Sequence, residues 1–368
     1  MKLELLGVND LRRHVEPLRE ELTEAAARVV DSAWYVLGAE VDKFERDFAT
    51  YCGAKYCVGV ANGTDALELA LKVLGVTAGA SVATVANAGM YSTAAILSLG
   101  AAPVYVDIDP ITLSVSPNDL ARVVATHPIS VVIVTHLHGR MVDMDAVMKI
   151  AGTASIPVVE DCAQAHGAIF NGHKAGSLGT MGTFSFYPTK NLGALGDGGA
   201  IVTSVAEYAK QLTGLRQYGW TRRYHAEMPG GRNSRLDELQ AAFLNVMLPH
   251  LDAWNSRRRQ IAAYYSSAIK CPRVTVPVHA DTRDVVHLYV LRTGEREGLS
   301  SHLAKFKCPT DVHFPVPDYR QPAVRAVRGE HKALEATESA CAEIVTLPCF
   351  PELRDDEVFY IAERINEW

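Results

Sequence analysis

The stretch GTMGTFSFYPTKNLGALGDGGA, residues 179–200, decides how this chain is read. Its run TFSFYP alternates, which puts Ser185 and Tyr187 on one face of a strand and Phe184 and Phe186 on the other. Lys190 follows just past the strand, in a glycine-rich turn. A lysine among aromatics and beside a polar Ser185 is badly placed for a solvated surface charge. A phosphate-cradling P-loop requires G-x-x-x-x-G-K-[ST], and no lysine follows the glycines here, so that motif is excluded. A Schiff-base lysine requires a partly dry pocket, where the amine sheds its proton and becomes a nucleophile toward an aldehyde. Taken alone, a lysine in such a turn is more often structural than catalytic.

Upstream of that turn, short β-rich runs alternate with amphipathic helical runs. YCVGVA (56–61) reads as a buried strand, NGTD as a turn and ALELALKVLG (66–75) as a helix closing at Gly75. APVYVDID (102–109), ISVVIVTHLHG (129–139) and IPVVEDCA (156–163) read as further strands. Between them lie the helical runs SPNDLARVVA (116–125) and MDAVMKIAG (144–152). Ser116 is placed to cap the first of these, with Asp119 in the capping-box position. The alternation predicts an α/β fold with a mostly parallel central sheet flanked by helices, whose ligands collect at the carboxyl ends of strands. A long helical pattern begins near residue 236, and Pro249 should kink or split it. Beyond Cys271, the β-rich segments VTVPV and VVHLYVLRT precede helical and proline-rich stretches. The expected division is a large domain over 1–248 and a smaller C-terminal α+β domain over 249–368.

Composition removes several function classes. The chain has 368 residues, 48% hydrophobic and 21% charged, with a formal net charge of -6. No basic excess exists to hold nucleic acid or an anionic membrane surface. No apolar run approaches the roughly 18 residues of a membrane helix. The first twenty residues carry charges where a secretory signal would be apolar. Seven cysteines, an odd count without a CxxC pair, fit a reduced interior, and a cytoplasmic protein is expected.

Three further pieces carry chemistry. Asp161 ends a strongly apolar strand, where a lone carboxylate is costly unless a cationic nitrogen pairs with it; a cap on the next turn is the plainer job. Gln164 is three residues on and within reach of the same place. Gly63 and Thr64 lie between a strand and a helix start, where backbone N–H groups and the helix dipole favour an anion, although a turn with a cap needs no ligand. Asp161 and Lys190 are 29 residues apart (190 − 161), enough for the chain to cross and return to one sheet edge. A phosphate cradle, an anion for a ring nitrogen and a lysine for an aldehyde are together what pyridoxal 5'-phosphate needs. His136 and His138, with Asp143 and Asp145 beyond, match no zinc spacing; a strand end lining the cleft is expected there and no metal site. WNSRRRQ (254–260) reads as a solvated basic face, and Trp34, Tyr35 and Tyr56 as core.

Six segments in order then carry a resemblance over nearly the whole chain. They are WYVLGAEVDKFERDFATYCG, NGTDALELAL, VVEDCAQAHGA, FSFYPTKNLGALGDGGA, GGRNSRLDELQAA and VHFPVPDYRQPA. The sequence resembles the DegT/StrS family of sugar aminotransferases, which have the fold-type-I pyridoxal-phosphate architecture. The resemblance implies that Lys190 is the internal-aldimine lysine and proton shuttle. It implies that Asp161 pairs with the pyridinium nitrogen, that Gln164 bonds the phenolic oxygen, and that Gly63, Thr64 and Ser185 hold the phosphate. Asn233 resembles the residue that reaches the phosphate from a neighbouring subunit, implying a homodimer with shared sites; capping the helix at LDELQ is its plainer role. Where many relatives stack an aromatic on the cofactor, this chain has Gly89, so Tyr91 is expected to approach instead. Tyr35, His313 and Tyr319 are the implied substrate contacts, Tyr319 standing where relatives often have His.

The implied reaction moves an amino group from L-glutamate to a nucleotide-linked keto-deoxysugar. The phrase NSRLDELQAA resembles members acting on a dTDP-3-keto-6-deoxyhexose, in O-antigen or lipopolysaccharide assembly or in natural-product decoration. A 4-keto-sugar aminotransferase is the alternative within the class. Dehydratase relatives carry His in place of the lysine, and a silent regulatory relative would not need Lys190, Asp161, Gln164 and Ser185 intact.

Overall fold

The structure, a computed structural model, describes residues 5, 7–277, 281–329 and 331–368. Residues 1–4 and 6 of the charged N-terminal stretch and Val278 of VTVPV lie outside the described residues.

Seven strands form the central sheet: β1 (Tyr56–Val60), β2 (Ser81–Val85), β3 (Ala102–Val106), β4 (Ile129–Thr135), β5 (Val158–Asp161), β6 (Met181–Ser185) and β7 (Gly199–Thr203). Their order is β1-β7-β6-β5-β4-β2-β3. Only β7 runs against its neighbours, β1 and β6; the other six point the same way. Helices Gly63–Val73, Tyr91–Ser98, Pro117–Thr126 and Met144–Thr153 supply crossovers that parallel pairing requires. Alternation along β4 shows how the sheet is sealed. Val131 and Ile133 enter one core with Leu67, Leu71 and Ile201, while Val132 and Val134 enter the other with Phe184 and Val202.

Ser116 caps its helix by accepting from the Asp119 N–H, with Pro117 at the first helical position. The Asp119 carboxylate accepts the Asp107 N–H instead of closing a capping box. The helix after β1 starts at Gly63, not at Ala66, so NGTD is its cap and first turn. β2 and the helix Tyr91–Ser98 were not anticipated, because small polar and apolar residues mix in both and the helix has no distinct polar face. Pro249 acts as expected, sitting in a 3-10 turn, Leu248–His250, between helices Glu238–Met247 and Leu251–Ala268.

A second core gathers Ile261, Tyr265, Leu291, Leu303, Val345, Phe350 and Ile361 around the antiparallel pair Tyr289–Arg292 and Ile344–Leu347. VTVPV contributes one bridge, Thr275 to Arg292, instead of a strand. The basic run is not a solvated face. Arg258 is buried and donates to the carbonyls of Val286, His287 and Cys349, and Arg257 donates to Leu353 O and Asp355. Nor are Trp34, Tyr35 and Tyr56 core: they are 63%, 55% and 39% exposed in this chain. All seven cysteines are free and buried. No described helix is long and apolar enough to cross a membrane.

Candidate active site

The carboxyl ends of β1, β5 and β6 open into one cavity of about 870 Å³. Gly63, Thr64, Tyr91, Asp161, Gln164, Ser185, Lys190 and His313 all line it. β1 delivers the first two, β5 ends on Asp161, and β6 ends on Ser185 with Lys190 in the turn beyond.

Lys190 is enclosed, and burial lowers its amine from the ordinary lysine value to about 8, with the Asp161 charge pulling the other way. Roughly a tenth is therefore the free amine at pH 7, far more than at an ordinary lysine, and that is the state a nucleophile or base requires. Asp161 is buried, and that burial raises its carboxyl above the ordinary value. The Ala163 N–H at 3.2 Å, the Lys190 charge and the Thr135 hydroxyl at 3.4 Å offset part of that cost.

The phosphate-type cradle is built from backbone. Asn62 caps the helix by accepting the Asp65 N–H at 2.8 Å, and the Ala66 N–H closes on Asn62 O. That leaves the N–H groups of Gly63 and Thr64, which no helical carbonyl accepts, at the positive end of the helix. A Cβ at Gly63 would lie 2.6 Å from Ser185 Cβ, so only glycine lets the helix start touch the end of β6.

Gln164 has a defined orientation. The His138 N–H donates to its Oε1 at 2.6 Å, so its amide NH₂ is the end left for a ligand in the cavity. Tyr91 meets Phe314 edge to face, with ring centroids 5.9 Å apart, and Phe314 also stands 3.0 Å from where a Cβ on Gly89 would be. The space missing at residue 89 is thus filled from the C-terminal part of the chain. His313 is held through Nδ1 to the Thr346 hydroxyl at 2.9 Å, and its carbonyl accepts from His138 Nε2 at 3.1 Å.

Three expected residues do not line this cavity. Tyr319 is buried elsewhere, packed against Tyr105 and His331 with its hydroxyl donating to Glu338. Its neighbour Asp318 explains the placement: that carboxylate accepts from Thr93 Oγ1 and Met90 N, pinning the loop to the Tyr91–Ser98 helix and turning Tyr319 inward. A substrate contact by Tyr319 is therefore corrected to a structural one. Tyr35 is exposed, and its carbonyl accepts the Glu238 N–H. Asn233 is exposed too and caps no helix; the helix it precedes starts from Asp237.

The two histidines after β4 diverge instead of lining the cleft. His136 lies buried behind β5, and His138 turns toward His313. Asp143 caps the next helix and Asp145 accepts from Asn171. Ligand-type atoms of His136, Glu160 and Cys162 do come within 4.8 Å of one another. Both His136 nitrogens and both Glu160 oxygens are engaged by the protein, and burial holds the Cys162 thiol well above its ordinary value.

Sequence reading missed Asn9, His287, Asp311 and Phe314, which also line the cavity. They arrive from segments far from the motifs, and the one available signal was that Phe314 adjoins His313 in VHFPVP.

Residues 16–366 match the model of the DegT/DnrJ/EryC1/StrS aminotransferase family. The chain is 44% identical over 360 residues to the dTDP-3-amino-3,6-dideoxy-alpha-D-galactopyranose transaminase of Aneurinibacillus thermoaerophilus, covering 98% of each. It is 39% identical to a protein of Geobacillus stearothermophilus named a pleiotropic regulatory protein, covering 98% of this chain and 97% of that one. Among solved structures, the crystal structure of S. venezuelae DesV in complex with a ketimine intermediate superposes with a TM-score of 0.94 at 40% identity, covering 98% of this chain and 97% of that one.

Proposed function

The chain belongs to the DegT/DnrJ/EryC1/StrS aminotransferase family, and on that footing we propose that it moves an amino group from L-glutamate to the 3-keto carbon of a dTDP-linked 6-deoxyhexose. The observation that carries this reading is one cavity that joins a half-buried amine of lowered basicity, a buried carboxylate and a helix start with free N–H groups. The named acceptor class follows the galactopyranose transaminase, the relative that is 44% identical. Reaction at the 4-keto position is the alternative.

These residues fit pyridoxal 5'-phosphate. Gly63, Thr64 and Ser185 would hold its phosphate, since the free N–H groups at the helix start and the Ser185 side chain line the same cavity. Asp161 would face the ring nitrogen, the cationic partner that makes a buried carboxylate affordable. Gln164 would donate its NH₂ to the phenolic oxygen, with Tyr91 beside the ring. When bound, the cofactor supplies an aldehyde for amine exchange and a ring that accepts carbanion electrons.

The chain's own residues do the rest. Lys190, with its amine lowered to about 8, takes a proton from the donor's α-carbon and returns one to the sugar carbon. Asp161 would supply the fixed negative charge that keeps the ring nitrogen cationic. Asn233 lies outside its own chain's cavity, and Trp34, Tyr35, Tyr218 and Tyr224 stay exposed, which supports a homodimer in which Asn233 and Tyr35 serve the partner's site.

Two assays test the proposal. A visible band after reconstitution with pyridoxal 5'-phosphate, bleached by L-glutamate, is expected. Turnover should follow with dTDP-linked 3-keto sugars; turnover of only the 4-keto form would sink the C3 assignment. The regulatory name of the Geobacillus stearothermophilus relative raises a second reading, a silent binding protein. The intact Lys190 and Asp161 weigh against it, and a band that persists in glutamate and keto-sugar would favour it.

A further inference from the structure

Behind Lys190 runs a closed chain of side-chain amides. Asn255 donates from Nδ2 to the carbonyl of His166 at 2.8 Å. A carbonyl accepts only, so that amide end is fixed as NH₂ and Oδ1 points the other way. Asn191 meets this Oδ1 at 2.8 Å and the carbonyl of Val285 at 3.0 Å, both through Nδ2. Its own Oδ1 is therefore the atom that faces His287 Nδ1, 3.0 Å away. Two acceptors at the ends of the chain thus make His287 Nδ1 the protonated nitrogen. The ring is buried, and burial together with the charges of Lys190 and Arg258 keeps it well below the ordinary histidine value, hence neutral. A neutral imidazole has one N–H, so Nε2 is bare. His287 lines the cavity, and among the described residues the one side-chain hydrogen bond of its ring is at Nδ1.

We propose that His287, held as the Nδ1–H tautomer by Asn191, presents a bare Nε2 to the cavity and there accepts a hydrogen bond from an N–H or O–H donor, either a sugar hydroxyl or the Lys190 amine. It cannot donate to a carboxylate or phosphate, so the anionic parts of both substrates bind elsewhere. Asn191 and Asn255 are positioning residues that act through His287. The sugar arm rests on the function proposed above; the tautomer does not.

Nitrogen-15 NMR of histidine-labelled protein without cofactor decides the tautomer, the His287 signals being those lost in His287→Phe. A protonated Nδ1 with a bare Nε2 is expected at neutral pH, and a protonated Nε2 overturns the proposal. Asn191→Leu should shift the ring toward the Nε2–H tautomer that free imidazoles favour. Kinetics of His287→Phe separate the two donors. A rise of about three- to tenfold in KM for the nucleotide sugar, with the glutamate half-reaction unchanged, identifies a sugar hydroxyl. A comparable slowing of the glutamate half-reaction, with KM unchanged, identifies the Lys190 amine. If neither moves, Nε2 has no partner and the proposal falls. A wild-type enzyme that aminates no nucleotide sugar would refute the function proposed, while the nitrogen spectrum would still judge His287.

Discussion

Glu160 and Asp161 are neighbours on β5, both carboxylates and both buried, yet they face opposite sides of the sheet. Glu160 is satisfied by the protein alone. His136 Nε2 donates to it at 3.0 Å, and the N–H groups of Gly176, Leu178 and Gly179 donate at 3.0, 2.8 and 2.6 Å. Burial pushes its carboxyl up, but His136 and those N–H groups outweigh it, and the group lies below the ordinary glutamate value. Asp161 has one backbone N–H and one long hydroxyl contact, and burial wins. One carboxylate is an anchor for the 176–179 loop. The other is left short of partners on the side where a ligand binds, and that shortage separates a working group from a structural one.

The largest effect expected concerns the cavity side. Lys190→Ala should lower transamination by at least about 10²-fold and up to about 10⁴-fold from lost proton transfer alone. Turnover near the wild-type rate would remove the mechanism. Asp161→Asn should cost about 10²–10³-fold in kcat, the scale of a lost electrostatic partner. The same change should leave the cofactor-free protein as stable as wild type or more so, because it removes an uncompensated buried charge. Thermal melts would show whether Asp161 is a tool in this sense.

Glu160→Gln should do the reverse, lowering stability by about 3 kcal/mol by setting an NH₂ against N–H donors. Steady-state kcat of the folded fraction should hardly change. Should Glu160→Gln spare stability, the contrast between the two faces fails.

A pH series sharpens the same comparison at smaller scale. The folded Glu160 value lies below its unfolded one, so its stabilisation is complete above the ordinary glutamate range and is lost as pH falls through the lowered value. The folded Asp161 value lies above its unfolded one, so its contribution is complete at low pH and is lost as pH rises through the raised value. Melting curves of cofactor-free Asp161→Asn should therefore diverge upward from wild type as pH rises past that point. Parallel curves would mean that Asp161 does not titrate as its surroundings require. Smallest of all, Asp318, which burial lifts to about 6, contributes stability that is lost as pH rises through that value, a loss that Asp318→Asn should remove from the melts.

The two faces were not equally legible. Sheet class, Lys190, Asp161, Ser185 and the turn at Gly63 and Thr64 could be read because each lies at or just past the end of a run whose alternation or capping is local, although the helix itself starts three residues earlier than read. The partners of Glu160 could not, since a loop sixteen to nineteen residues away supplies three of them. His287 and Phe314 escaped for the same reason, being placed by long-range packing. Tyr319 was misplaced because its role depends on Asp318, whose buried bonds to Thr93 and Met90 have no signature in sequence. Trp34, Tyr35 and Tyr56 show the opposite limit: aromatic residues signal burial without saying whether their own chain or another provides it.

The contact between Gly63 and Ser185 carries one more consequence. Among the described residues lining the cavity, Lys190 is the one Lys or Arg side chain, and the proposed function places its work at the aldehyde end. An anion at the Gly63–Thr64 end is met by amide dipoles and a hydroxyl, none of which gains or loses a proton across the physiological range. Attachment and reaction are thereby uncoupled. Acidity can tune the amine and the carboxylate without loosening the grip on what they act upon.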